Sequence, residues 1–119
     1  MFRYFNRNPG KREEEDCVCR AISTALALPY QTAERLLTMS AEVNECDSLC
    51  VCCYHFLLED IFGLPCKLAD GETVGELAEC YKFNKLLIRI DGHLTCSIMG
   101  TVLDIWDCTR EPVDCYWII

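Results

Sequence analysis

Asp16-Cys17-Val18-Cys19-Arg20-Ala21-Ile22-Ser23-Thr24-Ala25-Leu26-Ala27-Leu28 is the stretch on which the reading of the chain turns. Val18, Ala21, Ile22, Ala25 and Leu26 recur at helical spacing, so it predicts a buried helix over about Cys17 to Leu28, with Asp16 as N-cap. Cys17 then takes the first helical position, beside backbone N–H groups with no acceptor inside the helix. Those donors and the helix dipole favour the thiolate, the nucleophilic form of cysteine. The preceding run Glu13-Glu14-Glu15-Asp16 opposes another anion, so a thiolate here needs a cation beside it. The only two histidines, His55 and His93, are the candidates.

Outward from this helix the pattern predicts α+β, with N-terminal helices packed on a C-terminal antiparallel sheet. Residues 1–15 read as an extended arm with a turn at Asn8-Pro9-Gly10-Lys11. Pro29 opens a second helix over 30–39, with Ala33, Leu36 and Leu37 as its apolar stripe. Ser48 to Phe62 predicts a third helix, apolar almost all round, buried, and closed by Gly63. After Pro65 come a short strand at 66–68 and a brief helix over 73–80 in which Thr73 and Glu76 form a capping box. Strands follow at 85–90, 93–98, 101–107 and 113–118, with turns at Asp91-Gly92 and Met99-Gly100.

The 119 residues suit one domain, and 51% hydrophobic with 25% charged residues is a globular composition. No apolar run approaches the roughly 20 residues of a membrane span, and the N-terminal stretch lacks the apolar core of a secretion signal, so a cytoplasmic protein is expected, without a membrane partner. A net charge of −8 argues against a nucleic-acid partner. Eleven cysteines, an odd count in such a chain, read as reduced core thiols rather than a disulfide framework. Cys46, Cys50, Cys52, Cys53 and His55 have metal-ligand residue types but lack a second Cys-x-x-Cys arm, so no metal and no cofactor is expected.

Hairpin parity sharpens the chemistry. With Met99-Gly100 as a two-residue loop, His93 falls opposite Trp106, and Asp104 lies diagonal to His93 on the same face. Asp107 points away, and becomes the orienting carboxylate only if a bulge flips the register. Cysteine, histidine and carboxylate in that chain order make an activated-thiol set: the imidazole deprotonates the thiol and the carboxylate orients the imidazole.

Asn6-Arg7-Asn8-Pro9-Gly10-Lys11, Asp16-Cys17-Val18-Cys19-Arg20-Ala21-Ile22-Ser23, Gly92-His93, Asp104-Ile105-Trp106-Asp107 and Tyr116-Trp117 together resemble the papain-like cysteine peptidase superfamily, nearest to small single-domain members of phage or prophage origin. The resemblance spans most of the chain and implies a single minimal papain-like domain over 1–119. In that superfamily the nucleophilic cysteine begins the central helix, the histidine begins a later strand, and an Asn or Asp follows on the next strand, often with a tryptophan two residues on. Cys17, His93 and Asp104 with Trp106 match. The Asp16-Cys17 pair is also similar to the start of bacteriocin-processing peptidases of that superfamily. Papain relatives carry a glutamine six residues before the cysteine, as an oxyanion donor, where this chain has Lys11. The donors are then expected to be the Cys17 N–H with Asn8, Asn6 or Lys11.

The expected function is thiol-dependent hydrolysis or acyl transfer on an amide, isopeptide or thioester bond of a protein or peptide substrate, with a phage-type cysteine peptidase, acting in the host cytoplasm, as its leading form. The alternative is a catalytically inactive papain-fold module that binds a host protein. Each residue also has a plainer reading: Cys17 as a capped core thiol, Cys19 as packing, His93 as a turn histidine, His55 as a core or rim histidine, and Trp106 as core packing.

Overall fold

The computed structural model describes residues 1–119 as an α+β protein with four helices and one six-stranded sheet. The strands are β1 (Phe2–Tyr4), β2 (Lys67–Leu68), β3 (Lys85–Ile90), β4 (His93–Ile98), β5 (Thr101–Asp104) and β6 (Cys115–Ile118), in the order β1-β5-β4-β3-β6-β2. The expectation of a wholly antiparallel sheet is corrected at one edge. Phe2–Tyr4, expected to be part of an extended arm only, pairs in parallel with β5, with Tyr4 opposite Asp104.

Alternation along the central strands divides the core. Leu87, Leu94, Cys96, Cys115 and Trp117 join the larger apolar cluster, which the helices α1 (Cys17–Ala25), α2 (Tyr30–Asn44) and α3 (Val51–Phe56) complete. Leu86, Ile88, Ile90, Val102 and Tyr116 form the other cluster, with α4 (Val74–Cys80) and Cys108 and Val113 of the loop before β6. Period-two burial on both faces is what a sheet between two layers requires.

Helix limits differ from the expected ones for local reasons. α1 stops at Ala25 because Ala27 adopts a left-handed conformation (φ 54°) and Leu28, preceding Pro29, is steered away from helix. Asp16 holds the N-cap position, yet its carboxylate caps nothing. α2 runs five residues beyond the expected 39 because the small residues Ser40 and Ala41 extend the buried line of Ala33 and Leu37. α3 starts at Val51 rather than Ser48 and passes into a π-helical turn, Leu57–Ile61. Only its Cys53, Tyr54, Leu57 and Leu58 side is buried; Ile61 and Phe62 face outward, because no further layer covers that side. The capping box of α4 forms as expected, Thr73 accepting from the Glu76 N–H and Glu76 from the Thr73 N–H. No helix is long and apolar enough to cross a membrane.

The β4–β5 hairpin positions the site. Met99 (φ 52°) and Gly100 (φ 82°) are both left-handed, the combination that a two-residue type I′ turn needs. Ile98 pairs with Thr101, Ser97 with Val102 and Cys96 with Leu103, the expected register.

Candidate active site

Cys17 opens α1, His93 opens β4 directly after the Asp91-Gly92 turn, and Asp104 closes β5. A helix near the start of the chain and a hairpin near its end therefore deliver a thiol, an imidazole and a carboxylate to one place. Cys17 and His93 line a cleft of about 590 Å³, with Trp106, Ile105, Leu49, Val51, Tyr54 and Arg89 in its walls. His93 Nε2 donates to Asp104 Oδ2 at 2.6 Å, which leaves Nδ1 as the ring nitrogen free to serve the thiol. The Trp106 indole packs at a tilt against the imidazole, ring centroids 5.2 Å apart. It is 41% exposed, so Trp106 is a cleft wall rather than the core residue of its plainer reading.

Behind the carboxylate lies a residue that the sequence pattern did not single out. Arg20, buried on α1, donates from Nη1 to Asp104 Oδ1 at 3.1 Å and from Nε to Asp16 Oδ1 at 2.6 Å. Asp104 Oδ1 also accepts from the Ile105 N–H at 2.7 Å. Asp16 takes further bonds from Tyr30 Oη (2.7 Å) and Asn8 Nδ2 (3.0 Å). A continuous buried chain thus runs Asn8, Asp16, Arg20, Asp104, His93. One sequence signal pointed to Arg20: it is the sole charged residue in the nine residues of α1, among Val18, Ala21 and Ile22 on a helix meant for burial.

The electrostatics follow from these contacts. Burial alone raises the Cys17 thiol, but the adjoining His93 ring and its charge, the Leu94 backbone and Arg20 together bring it below the ordinary thiol range. Burial depresses His93, yet Asp104 and Cys17 outweigh it and raise the imidazole to about 9. Asp104, despite burial, is held below the usual carboxylate range chiefly by His93. A thiol lowered and an imidazole raised are the directions of shift that a thiolate–imidazolium pair requires. Cys19, two residues on, behaves oppositely: burial pushes it up to about 12, and its sulfur donates to the Tyr30 carbonyl.

Asn6, Asn8 and Lys11 are not brought into the cleft, and this corrects their expected role as oxyanion or substrate donors. The Asn6 amide donates to the Arg12 carbonyl, and its oxygen accepts from the Asn8 N–H. The Asn8 amide donates to Glu14 and Asp16, while Lys11 Nζ bonds the Asn6 carbonyl. Their polar atoms are spent on folding the segment before α1, because a short loop entering a buried helix must satisfy its own backbone. Asp107 lies in solvent and accepts from the Thr109 N–H and hydroxyl, away from His93. His55 is bound by Glu59 (2.7 Å) and Arg89 (3.2 Å), packs on Trp117 and does not line the cleft of Cys17 and His93. No family model, curated protein or solved structure matches the chain.

Proposed function

We propose that this chain is a thiol-dependent enzyme that cleaves or transfers acyl groups at an amide, isopeptide or thioester bond, as a cysteine peptidase of minimal papain-like type does. The observation that carries the reading is the joint arrangement of a lowered thiol at a helix start and a raised imidazole bonded to a buried carboxylate. Cys17, His93, Asp104 and Trp106 also follow the helix-start, strand-start, next-strand order of papain-like enzymes.

The Cys17 thiolate attacks the substrate carbonyl carbon, forming a C–S bond and an oxyanion. The Cys17 N–H, at a helix start without an intrahelical acceptor, is a donor for that oxyanion. Imidazolium His93 gives its proton to the leaving nitrogen or sulfur, and the scissile bond breaks to leave an acyl-enzyme. Neutral His93 then takes a proton from water or an amine, which attacks the thioester and restores the thiolate. Asp104 holds the ring with Nε2–H toward itself and steadies the imidazolium, and Arg20 holds Asp104.

The test is to offer a peptide thioester and an activated ester, quench in acid and weigh the intact chain. One transient acyl group on Cys17, absent in Cys17→Ser and slowed by orders of magnitude in His93→Ala, is the expected result. Acylation spread over several cysteines, unaffected by His93→Ala, contradicts the reading and favours a binding module on the same fold.

A further inference from the structure

Three of the remaining thiols converge where α2 gives way to α3. Cys46 lies two residues past the last residue of α2, Cys50 holds the N-cap position of α3, and Cys52 sits in its first turn. Their sulfurs all lie within 4.8 Å of one another, Cys50 and Cys52 at 3.0 Å. Helix geometry does not bring this about, because residues two apart on a continuous helix point in different directions. It arises because Cys50 has an extended backbone (φ −69°, ψ 143°), which turns its sulfur toward Cys52.

These thiols also differ from the packing cysteines in what they address. Cys19, Cys53 and Cys96 each donate to a backbone carbonyl, those of Tyr30, Leu37 and Leu103. Cys50 and Cys52 address each other, with Cys46 beside them. Cys46 and Cys50 are half-buried against the larger core and Cys52 is exposed, so the cluster has a rigid floor and an open mouth. The sequence pattern groups Cys53 and His55 with them, and the fold removes both: Cys53 turns inward to Leu37, and His55 is held by Glu59 and Arg89.

We propose that Cys46, Cys50 and Cys52 form a three-thiolate site for a thiophilic d10 cation, Zn2+ being the ion argued for, with its fourth position open to water. A tetrahedral Zn2+ with Zn–S bonds of about 2.3 Å sets its sulfurs roughly 3.8 Å apart, wider than the 3.0 Å of Cys50 and Cys52 and inside the 4.8 Å that bounds all three. Each thiol gives up its proton to solvent on binding, so affinity rises with pH. The ion ties the end of α2 to the start of α3. Leu49 and Val51, interleaved with the ligands, line the cleft of Cys17 and His93. Metal binding therefore braces one cleft wall without touching the reacting groups.

The proposal is tested on the full chain carrying Cys17→Ala, which removes the cleft thiol, kept reduced and titrated with Cd2+ and then with competing Zn2+. The expected result is one equivalent bound, with a thiolate-to-cadmium charge-transfer band that Zn2+ displaces. Cys52→Ser, at an exposed position, is expected to weaken binding by more than about 100-fold, beyond the loss typical of a group that only supports a ligand. Cys80→Ser, an exposed cysteine elsewhere, leaves it unchanged. Equal binding by the Cys52→Ser and Cys80→Ser chains overturns the proposal. So does a Cys50–Cys52 disulfide that forms on removal of reductant with Zn2+ in excess.

Discussion

Asp104 serves two partners at once, His93 on Oδ2 and Arg20 on Oδ1, and this sets what its replacement does. Asp104→Asn is expected to lower turnover by orders of magnitude, because Arg20 and the Ile105 N–H hold the amide oxygen on their side, so the amide NH2 faces His93 Nε2 and favours the tautomer with its proton on Nδ1. The fold survives, since Arg20 keeps Asp16. Asp107→Asn is expected to be mild, the side chain being a solvent-side turn acceptor. Comparable losses for the two, read against melting curves that show both folded, contradict the assignment. Arg20→Ala removes the common partner of two buried carboxylates and is expected to cost about 3–5 kcal/mol in denaturant unfolding. Arg20→Lys is expected to recover only part, since one ammonium cannot reproduce the two-armed bridge. His93 and Asp104 were legible in the sequence because hairpin parity is local arithmetic. The bridge through Arg20 was not, because it joins residues 84 positions apart and depends on how α1 lies on the sheet. Asn6, Asn8 and Lys11 misled for a related reason: proximity in sequence to the nucleophile says nothing about where an amide is spent.

At the scale of elements, the turn at Met99-Gly100 carries the site, since a slip of one residue would send Asp104 to the other face of the sheet. Met99 pays for its left-handed backbone without a glycine's freedom, and its side chain is 60% exposed. Met99→Asn, which tolerates that conformation and suits a type I′ turn before glycine, is expected to stabilise the chain by up to about 1 kcal/mol. Gly100→Val is expected to destabilise it and to lower activity in the folded fraction. At Gly100 φ is +82°, and an added Cβ meets the Lys82 Cβ at 3.2 Å. Thermal melts and activity per folded molecule separate the two effects, and a neutral Gly100→Val speaks against this role of the turn. The strands and α4 were readable because alternation, turn dipeptides and a capping box are written locally. The true ends of α2 and α3 were not, because small residues such as Ser40 and Ala41 become core only once a neighbour covers them. The pairing of β1 lay out of reach for the same reason, being a contact across almost the whole chain.

For the whole molecule, the sheet is shared by both apolar clusters, so the two are expected to melt together. The titrations of the site then appear in global stability. Asp16 and Asp104 have lowered pKa values, so their contribution is present above the ordinary carboxylate range and is lost as pH falls through the lower folded values. His93, raised to about 9, contributes fully below 6.5 and loses its contribution as pH rises through about 9. Cys17, lowered, contributes fully above 9.0 and loses its contribution as pH falls through its folded value. Between the lowered Cys17 value and about 9 the last two slopes oppose each other, because folding removes a proton from sulfur while it holds one on nitrogen. Denaturation midpoints are therefore expected to fall steeply in acid, as Asp16 and Asp104 are protonated, and to vary less between neutrality and about pH 9. The cleft carries Glu14, Glu15, Asp91 and Asp114 against Arg20, Arg89 and His93, with Arg89 paired to Asp114, in a chain of net charge −8. Cationic peptides are expected to be the better substrates, with KM rising as salt is added. A salt-independent KM contradicts that expectation.

Alkylation followed by peptide mapping reads out whether His93 keeps Cys17 ionised at neutral pH. Iodoacetamide labelling of Cys17 is expected to start at a pH below the ordinary thiol range, to plateau through neutrality and to change again near pH 9 as His93 loses its proton. Although half-buried, Cys17 is expected to outpace the exposed Cys52 and Cys80 at pH 7. In His93→Ala the plateau is expected to vanish and labelling to begin only at alkaline pH, since burial is then the main influence left on the thiol. A Cys17 that labels no faster than Cys80, with a profile that His93→Ala leaves unchanged, would mean that His93 does not activate this thiol.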